Sequence, residues 1–389
     1  MQENKRLMSV DVMRGITVAG MILVNNPGSW GHIYAPLEHA EWHGLTPTDL
    51  VFPFFMFIMG LSMYLSLNKS DFRCDKSTVW KILRRSIVLL LIGWGIGWFS
   101  RTWSGLQNPD KTWIEAINNF ANMRFMGVFQ RLALCYCATA LLAISVKRRT
   151  MIWIAGCILA GYTLLLLCGN GLEFSEDNIV GAIDRALLGE NHMYTERIDG
   201  VAIKIDPEGL LSTLPAIAHC IIGFVCGGMI SDEKDNYKKS YKLFVVGAVL
   251  TMTGFLLQYG MPINKKLWTP TFVFTTCGLA STLLALLINV IDIQRRTSWC
   301  TFFRVFGTNP LFLYLLSTIL AISMIRIKVG STDGGETKMA LQTSIYREFL
   351  VPLCQGNETL ASLVFALSFV FLNWIIGYCL YRKKIFIKI

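Results

Sequence analysis

Apolar stretches of roughly 20 residues recur from one end of this 389-residue chain to the other, a pattern that soluble folds do not tolerate. Only 16% of the residues are charged, against about a quarter in soluble domains. The runs predict about ten helices, near 12–27, 48–68, 81–99, 124–146, 151–169, 211–230, 242–260, 270–292, 302–325 and 359–381. The expected fold is an all-α polytopic membrane protein, with residues 1–389 forming a single transmembrane domain. The basic N-terminus runs into a span carrying Asp11 and Arg14 with no small-residue cleavage site, so a cleavable signal is not expected.

The net charge of +10 does not point to nucleic acid, because of where the charge sits. Connections on one side of the spans hold 22 lysines and arginines, including Lys5, Arg6, Lys69, Lys239 and Lys388; those on the other side hold 11. Basic loops stay in the cytoplasm, so both termini are expected there. The segment from Asn26 to Pro47 has no lysine or arginine and falls on the outer face. Eleven cysteines lie mostly in apolar runs without CxxC spacing, and are expected to be small buried hydrophobes. No internal repeat is visible, which disfavours a carrier.

Charges within a span cost roughly 2.5–3.5 kcal/mol each on insertion scales, and so mark candidate sites. Asp11 and Arg14 share a face of the first helix, where they either neutralise one another or bind a cytoplasmic anion. Asn25 and Asn26 end that helix, as caps or as donors to a substrate carbonyl. Gln130 and Arg131 lie inside an apolar run; an arginine there suits phosphate or carboxylate recognition. Asp206 reads as a helix N-cap, with Pro207 at the first position and Glu208 in the first turn. Asn264, Lys265 and Trp268 are expected at the outer surface, Trp268 in the aromatic belt or against substrate. Asn309-Pro310 interrupts a span, where the kink marks a cavity wall.

The stretch "EHAEWHGLTPTDLVFPFFMFIMG" gathers Glu38, His39, Trp42, His43 and Asp49 before a span. His39 and His43 have a metal-ligand spacing, but the order is not H-E-x-x-H, and the third ligand would have to be His32 or Asp49. As a base, His39 needs a carboxylate to orient it, which Asp49 or Glu38 supplies.

The blocks "SVDVMRG", "MILVNNPG", "HAEWHGLTPTDLVFPFFMFIMG", "GVFQR", "DPEGLLSTLPAI", "NKKLWTPT" and "GTNPLFLY", in that order, resemble the heparan-alpha-glucosaminide N-acetyltransferase family and its bacterial relatives. The resemblance implies a transmembrane acetyltransferase of the bacterial inner membrane, the catalytic membrane core without the large N-terminal luminal domain of the animal enzymes. It implies acetyl-CoA as cytoplasmic donor, an amino sugar as outer acceptor, and no metal. His39 matches the family's active-site histidine, as general base or acetyl carrier; Asn25 and Asp49 match its conserved-motif positions beside it. His43 matches an asparagine of the animal enzymes. On this reading Arg14, Gln130, Arg131 and Asn309 contact the donor. Glu38, Trp42, Asp206, Glu208, Asn264, Lys265 and Trp268 contact the acceptor. Membrane lipid surrounds the chain, and a homo-oligomer is an open expectation. The alternatives are an O-acetyltransferase of an exported glycan and a transporter or flippase for a sugar or lipid-linked group.

Overall fold

The computed structural model describes residues 7–330 and 338–387; Lys5, Arg6 and Lys388 lie outside the described residues. The first half of the chain forms α1 (Met8–Val24), α2 (Val51–Leu67), α3 (Lys76–Leu106), the short α4 (Trp113–Ile117), α5 (Val128–Ser145) and α6 (Arg148–Cys168). An outer segment follows, with α7 (Ile179–Leu188) and the antiparallel hairpin β1 (Glu196–Ile198) and β2 (Val201–Ile203). Next come α8 (Thr213–Asp232), α9 (Asn236–Leu257) and α10 (Pro270–Leu287), the last continuing as a π-turn to Ile293. The chain ends with α11 (Cys300–Thr308), α12 (Pro310–Arg326), the hairpin β3 (Lys328–Gly330) and β4 (Lys338–Ala340), the short α13 (Leu341–Ser344) and α14 (Val351–Leu353), and α15 (Glu358–Arg382).

Among the described residues, eight helices are long and apolar enough to cross a membrane, or nine with α11 and α12 taken together. The tenth expected span is α1, whose 17 residues reach about 25 Å at 1.5 Å per residue. The span expected over 302–325 is not one rod. It breaks at Asn309 with an 84° bend, because Pro310 opens α12 and cannot donate to the preceding turn.

Helix starts follow their caps rather than the hydropathy. The Asp75 carboxylate accepts from Thr78 N at 2.6 Å, so α3 begins before its apolar run. α8 begins at Thr213, not Pro207; the "DPEG" run is a turn in which Asp206 accepts from Glu208 N at 2.9 Å. α2, α8 and α10 are largely buried, whereas α3 and α9 turn most of their surface outward. Glycine permits the central contact: a Cβ at Gly60 would stand 2.1 Å from Cys220 O, and one at Gly223 would stand 2.2 Å from Phe57 O. α2 and α8 therefore pack backbone to backbone. All eleven cysteines are free; Cys135, Cys220, Cys226, Cys277 and Cys300 are buried as expected, but Cys157, Cys168 and Cys379 are exposed on helix faces that turn outward.

Candidate active site

His39 and Asp49 are held together by the local fold of the segment between α1 and α2. Thr46 and Asp49 form a reciprocal cap over the 3₁₀ turn Pro47–Leu50, and this fixes the Asp49 carboxylate. Its Oδ2 accepts from Ala40 N (3.1 Å), Thr46 N (3.2 Å) and Thr46 Oγ1 (3.0 Å). Its Oδ1 lies 2.6 Å from His39 Nδ1 and 3.2 Å from Lys265 Nζ. The Asp49 side chain is 1% exposed and the His39 side chain 39%, so a buried carboxylate orients an accessible ring.

These distances select a tautomer. Asp49 meets donors on every other side, so it is an acceptor, and a 2.6 Å approach between two lone pairs would be repulsive. Nδ1 therefore carries the hydrogen and donates it, leaving the Nε2 lone pair for chemistry. Lys265 Nζ, 3.0 Å from Nδ1, is then held by Asp49 rather than by the ring. Burial pushes the Lys265 ammonium below its ordinary pKa, an effect only partly offset by Asp49 and Glu208.

His39 opens into a cavity of about 220 Å³, the outer cleft of the expected orientation, whose lining includes Trp42, Asp49, Arg124, Tyr194, Glu208 and Lys265. Arg124 reaches both Asp206 and Glu208 and stacks over the Tyr194 ring at 5.0 Å. Burial alone would raise the Glu208 carboxyl, but Arg124 and Arg131 more than offset it and hold Glu208 below its usual range. Lys266 pairs with Glu196 at 3.1 Å. The wall thus carries both signs of charge beside the aromatic faces of Trp42 and Tyr194, which suits a hydroxylated or amine-bearing ligand.

At the other end of α2, the inner side of the expected orientation, two further cavities, of about 400 and 440 Å³, share Arg14, Ser62 and Ser66. The larger is lined by Lys69 and Lys239, the other mainly by apolar side chains of α2, α3 and α5 together with Arg85. Arg14 donates to Asp11 (3.1 Å) and to Ser62 Oγ (2.6 Å). Along α2, Ser62 lies about 20 Å from Asp49 at 1.5 Å per residue.

Of the expected site residues, His39, Trp42, Asp49, Glu208 and Lys265 line the outer cleft, and Arg14 lines the inner cavities. The remaining candidates fall elsewhere. The Glu38 side chain is not among the lining groups, and Asp49 alone holds the imidazole. Asn25 closes α1 as its C-cap, its backbone N–H donating to Met21 O at 3.2 Å, and it is exposed and absent from the lining of the cleft. Asp206 lies behind Arg124, fully buried. Asn264 is buried, caps its own turn by accepting from Leu267 N (2.9 Å), and lies 3.3 Å from His43 Nδ1. Burial lowers the His43 imidazole. Trp268 is not a surface belt residue but is 1% exposed.

The donor-side candidates lie apart from one another. Arg131 is fully buried beneath the outer cleft, not beside the inner cavities. Gln130 is buried against Gly93, whose lack of a side chain makes the room it occupies. Asn309 pins the C-terminal tail, donating to Ile385 O (2.9 Å) and accepting from Ile387 N (2.8 Å). Proline 310 does line an inner cavity, as the kink implied. Arg124, Tyr194, Glu196 and Lys266 were not singled out from sequence. A second arginine at the same span entrance, balanced by the acidic "DPE", was the signal available for Arg124. Among the described residues no three histidine, cysteine or acidic side chains converge on a metal position.

A family model described as an acyltransferase domain matches residues 8–382. Heparan-alpha-glucosaminide N-acetyltransferase of Mus musculus and that of Homo sapiens are each 28% identical to the chain. Each alignment covers 99% of this chain and 60% of the relative, so the chain spans about 60% of the length of the curated relatives it matches. With the match running from α1 to the end of α15, the chain belongs to the acyltransferase-domain family and is a distant relative of heparan-alpha-glucosaminide N-acetyltransferase.

Proposed function

We propose that the protein carries an acetyl group from acetyl-CoA, entering from the cytoplasm of a bacterial cell, to the amine of a glucosamine-type sugar at the outer face of the inner membrane. The observation that carries this reading is the His39–Asp49 pair at 2.6 Å in a mixed-charge outer cleft. The two cavities at the Arg14 end, one basic and one mainly apolar, support the donor's side of entry. The donor is a polyanion, and its phosphates suit the cavity of Lys69, Lys239 and Arg14. Its pantetheine arm suits the apolar neighbour lined by Phe55, Ile58, Met59 and Leu132, which follows α2 toward Asp49.

In the transfer, the acceptor ammonium first gives one proton to solvent; His39 Nε2 then takes a second proton from the amine nitrogen as its lone pair forms a bond to the acetyl carbon. The carbon–sulfur bond breaks, and the coenzyme A thiolate leaves with the proton His39 returns. Lys265, beside His39, is the cation best placed to face the transient oxyanion. Asn25, at the end of α1, is a further donor to the oxyanion in this proposal.

The alternative to direct transfer is a covalent route, with acetyl on His39 Nε2 between two half-reactions. Purified protein mixed with acetyl-labelled acetyl-CoA alone separates the routes, since only the covalent one leaves label on the protein and loses it in His39→Ala. The function itself is tested by thiol release from acetyl-CoA with glucosamine, with N-acetylglucosamine and without acceptor. Glucosamine-dependent release that His39→Ala abolishes is expected. Release with N-acetylglucosamine alone points to O-acetylation, and no release with any acceptor sinks acetyl transfer in favour of transport.

A further inference from the structure

Arg131 is fully buried, yet its Nε and one amino group find no protein acceptor among the described residues. An arginine satisfied on one side only is costly, and an apolar side chain of similar size would fill the space at lower cost. What it touches points to its use. Its other amino group donates to Gly209 O at 3.1 Å and to the Ser212 hydroxyl. Its guanidinium lies 5.0 Å over the Trp268 ring. Gly209 and Ser212 belong to the turn that follows Glu208. Trp268, held at φ +53° with its N–H on Lys265 O at 3.1 Å, belongs to the turn that carries Lys265. One buried cation therefore supports two separate walls of the outer cleft.

The first of these turns is held from the opposite side as well. Asp184 of α7, fully buried, accepts from Leu211 N at 2.9 Å. Its other oxygen lies 1.8 Å from where a Cβ of residue 209 would stand, so only glycine fits there. The turn's carbonyl and hydroxyl thus go to Arg131 and its N–H to Asp184.

We propose that Arg131, with Asp184 opposite, is a positioning residue for the acceptor side, fixing the turns that present Glu208 and Lys265, and makes no contact with the donor. The kinetic part of this inference rests on the acetyl-transfer reading; the structural part does not.

The test pairs kinetics with hydrogen exchange on the detergent-purified protein. Arg131→Met is expected to raise the glucosamine KM about tenfold or more, leaving the acetyl-CoA KM within about twofold. Amides of residues 210–213 should exchange about tenfold faster or more, and those of α1 should not. A raised acetyl-CoA KM with an unchanged glucosamine KM would assign Arg131 to the donor and overturn the proposal. So would no change in either. Ser212→Ala removes one contact without touching the charge, and serves if Arg131→Met fails to fold. It should shift both readouts in the same direction, by about two- to fivefold in KM; unchanged values overturn the proposal. If the wild-type protein transfers no acetyl group at all, the transfer reading fails and exchange alone decides: faster exchange at 210–213 supports the clamp, and unchanged exchange removes it.

Discussion

At the scale of single residues, Asp49 is where a small change separates chemistry from folding. In Asp49→Asn the side chain must still satisfy Ala40 N, Thr46 N and Thr46 Oγ1, which all donate to the same oxygen. The amide oxygen goes to that side and the amide NH₂ turns to His39 Nδ1. The ring proton then moves to Nε2, and the lone pair the reaction needs is gone. A tautomer error of this kind costs about 10³–10⁴ in kcat, with the donor KM little changed. Thiol-release kinetics check it, and a kcat within tenfold of wild type would remove Asp49 from the orienting role. The pair was legible in the sequence because it is local: ten residues apart, in one capped loop, His39 and Asp49 have little freedom to be elsewhere. The surroundings of Arg131 and Trp268 were not legible, because Arg131 meets the 209–212 turn and the Trp268 ring, and Trp268 meets Phe52 of α2 and His219 of α8, all distant in sequence; a residue's type alone does not say which end of the bundle its side chain meets.

Elements show where hydropathy stops being a guide. The apolar run over 302–325 hides the break at Asn309, and the chemistry of that break is tertiary. Asn309 uses both ends of its amide on the C-terminal tail, and Ile387 of that tail lines the inner cavity with Pro310 and Leu311. Asn309→Ala should release the tail and raise the acetyl-CoA KM several-fold, leaving the glucosamine KM unchanged; equal KM values in mutant and wild type would make the tail irrelevant to the donor. The segment 170–210 holds no run long enough to cross a membrane, and the short amphipathic pattern of "IVGAIDRALL" was passed over, so Asp184 on α7 went unread. Burial, with Asp206 nearby, pushes its carboxyl from 3.8 up to about 6, against the opposing pull of the Leu211 and Leu210 N–H groups and the Arg131 charge; the Tyr162 ring system also lies near it. A raised carboxyl holds its proton in the folded state after the unfolded chain has lost it. Stability from this group is therefore greatest below about pH 4 and falls as pH rises toward 6, by roughly 3 kcal/mol at most. Asp184→Asn keeps an acceptor for Leu211 N and removes the titration. The melting temperature of the mutant minus that of the wild type should climb between pH 4 and 6 and level off above; a flat difference would refute the buried titration.

For the whole molecule, orientation decides whether the two sites can do one reaction. By the positive-inside rule, the imbalance of 22 basic residues against 11 would put the cavities of Arg14, Lys69 and Lys239 inside and the His39 cleft outside. The arrangement of ten crossings needs α1 and the bent α11–α12 pair each to span once, which follows from the alternation of loops rather than from their length. Two native thiols report it. Cys74 is exposed between α2 and α3, and Cys354 is partly exposed just before α15. In this orientation they face opposite compartments, while Cys157, Cys168 and Cys379, also exposed, are replaced by serine before labelling. A charged, impermeant maleimide should label inverted vesicles through Cys74, with the signal lost in Cys74→Ser. It should label right-side-out vesicles through Cys354, with the signal lost in Cys354→Ser. The reverse pattern would turn the molecule over and put the basic cavities outside, beyond reach of cytoplasmic donor. Coenzyme A carries several negative charges and does not cross a bilayer unaided. Acetyl-CoA added outside should therefore support transfer only in vesicles whose Cys74 face is also outside, so that labelling and turnover follow the same orientation.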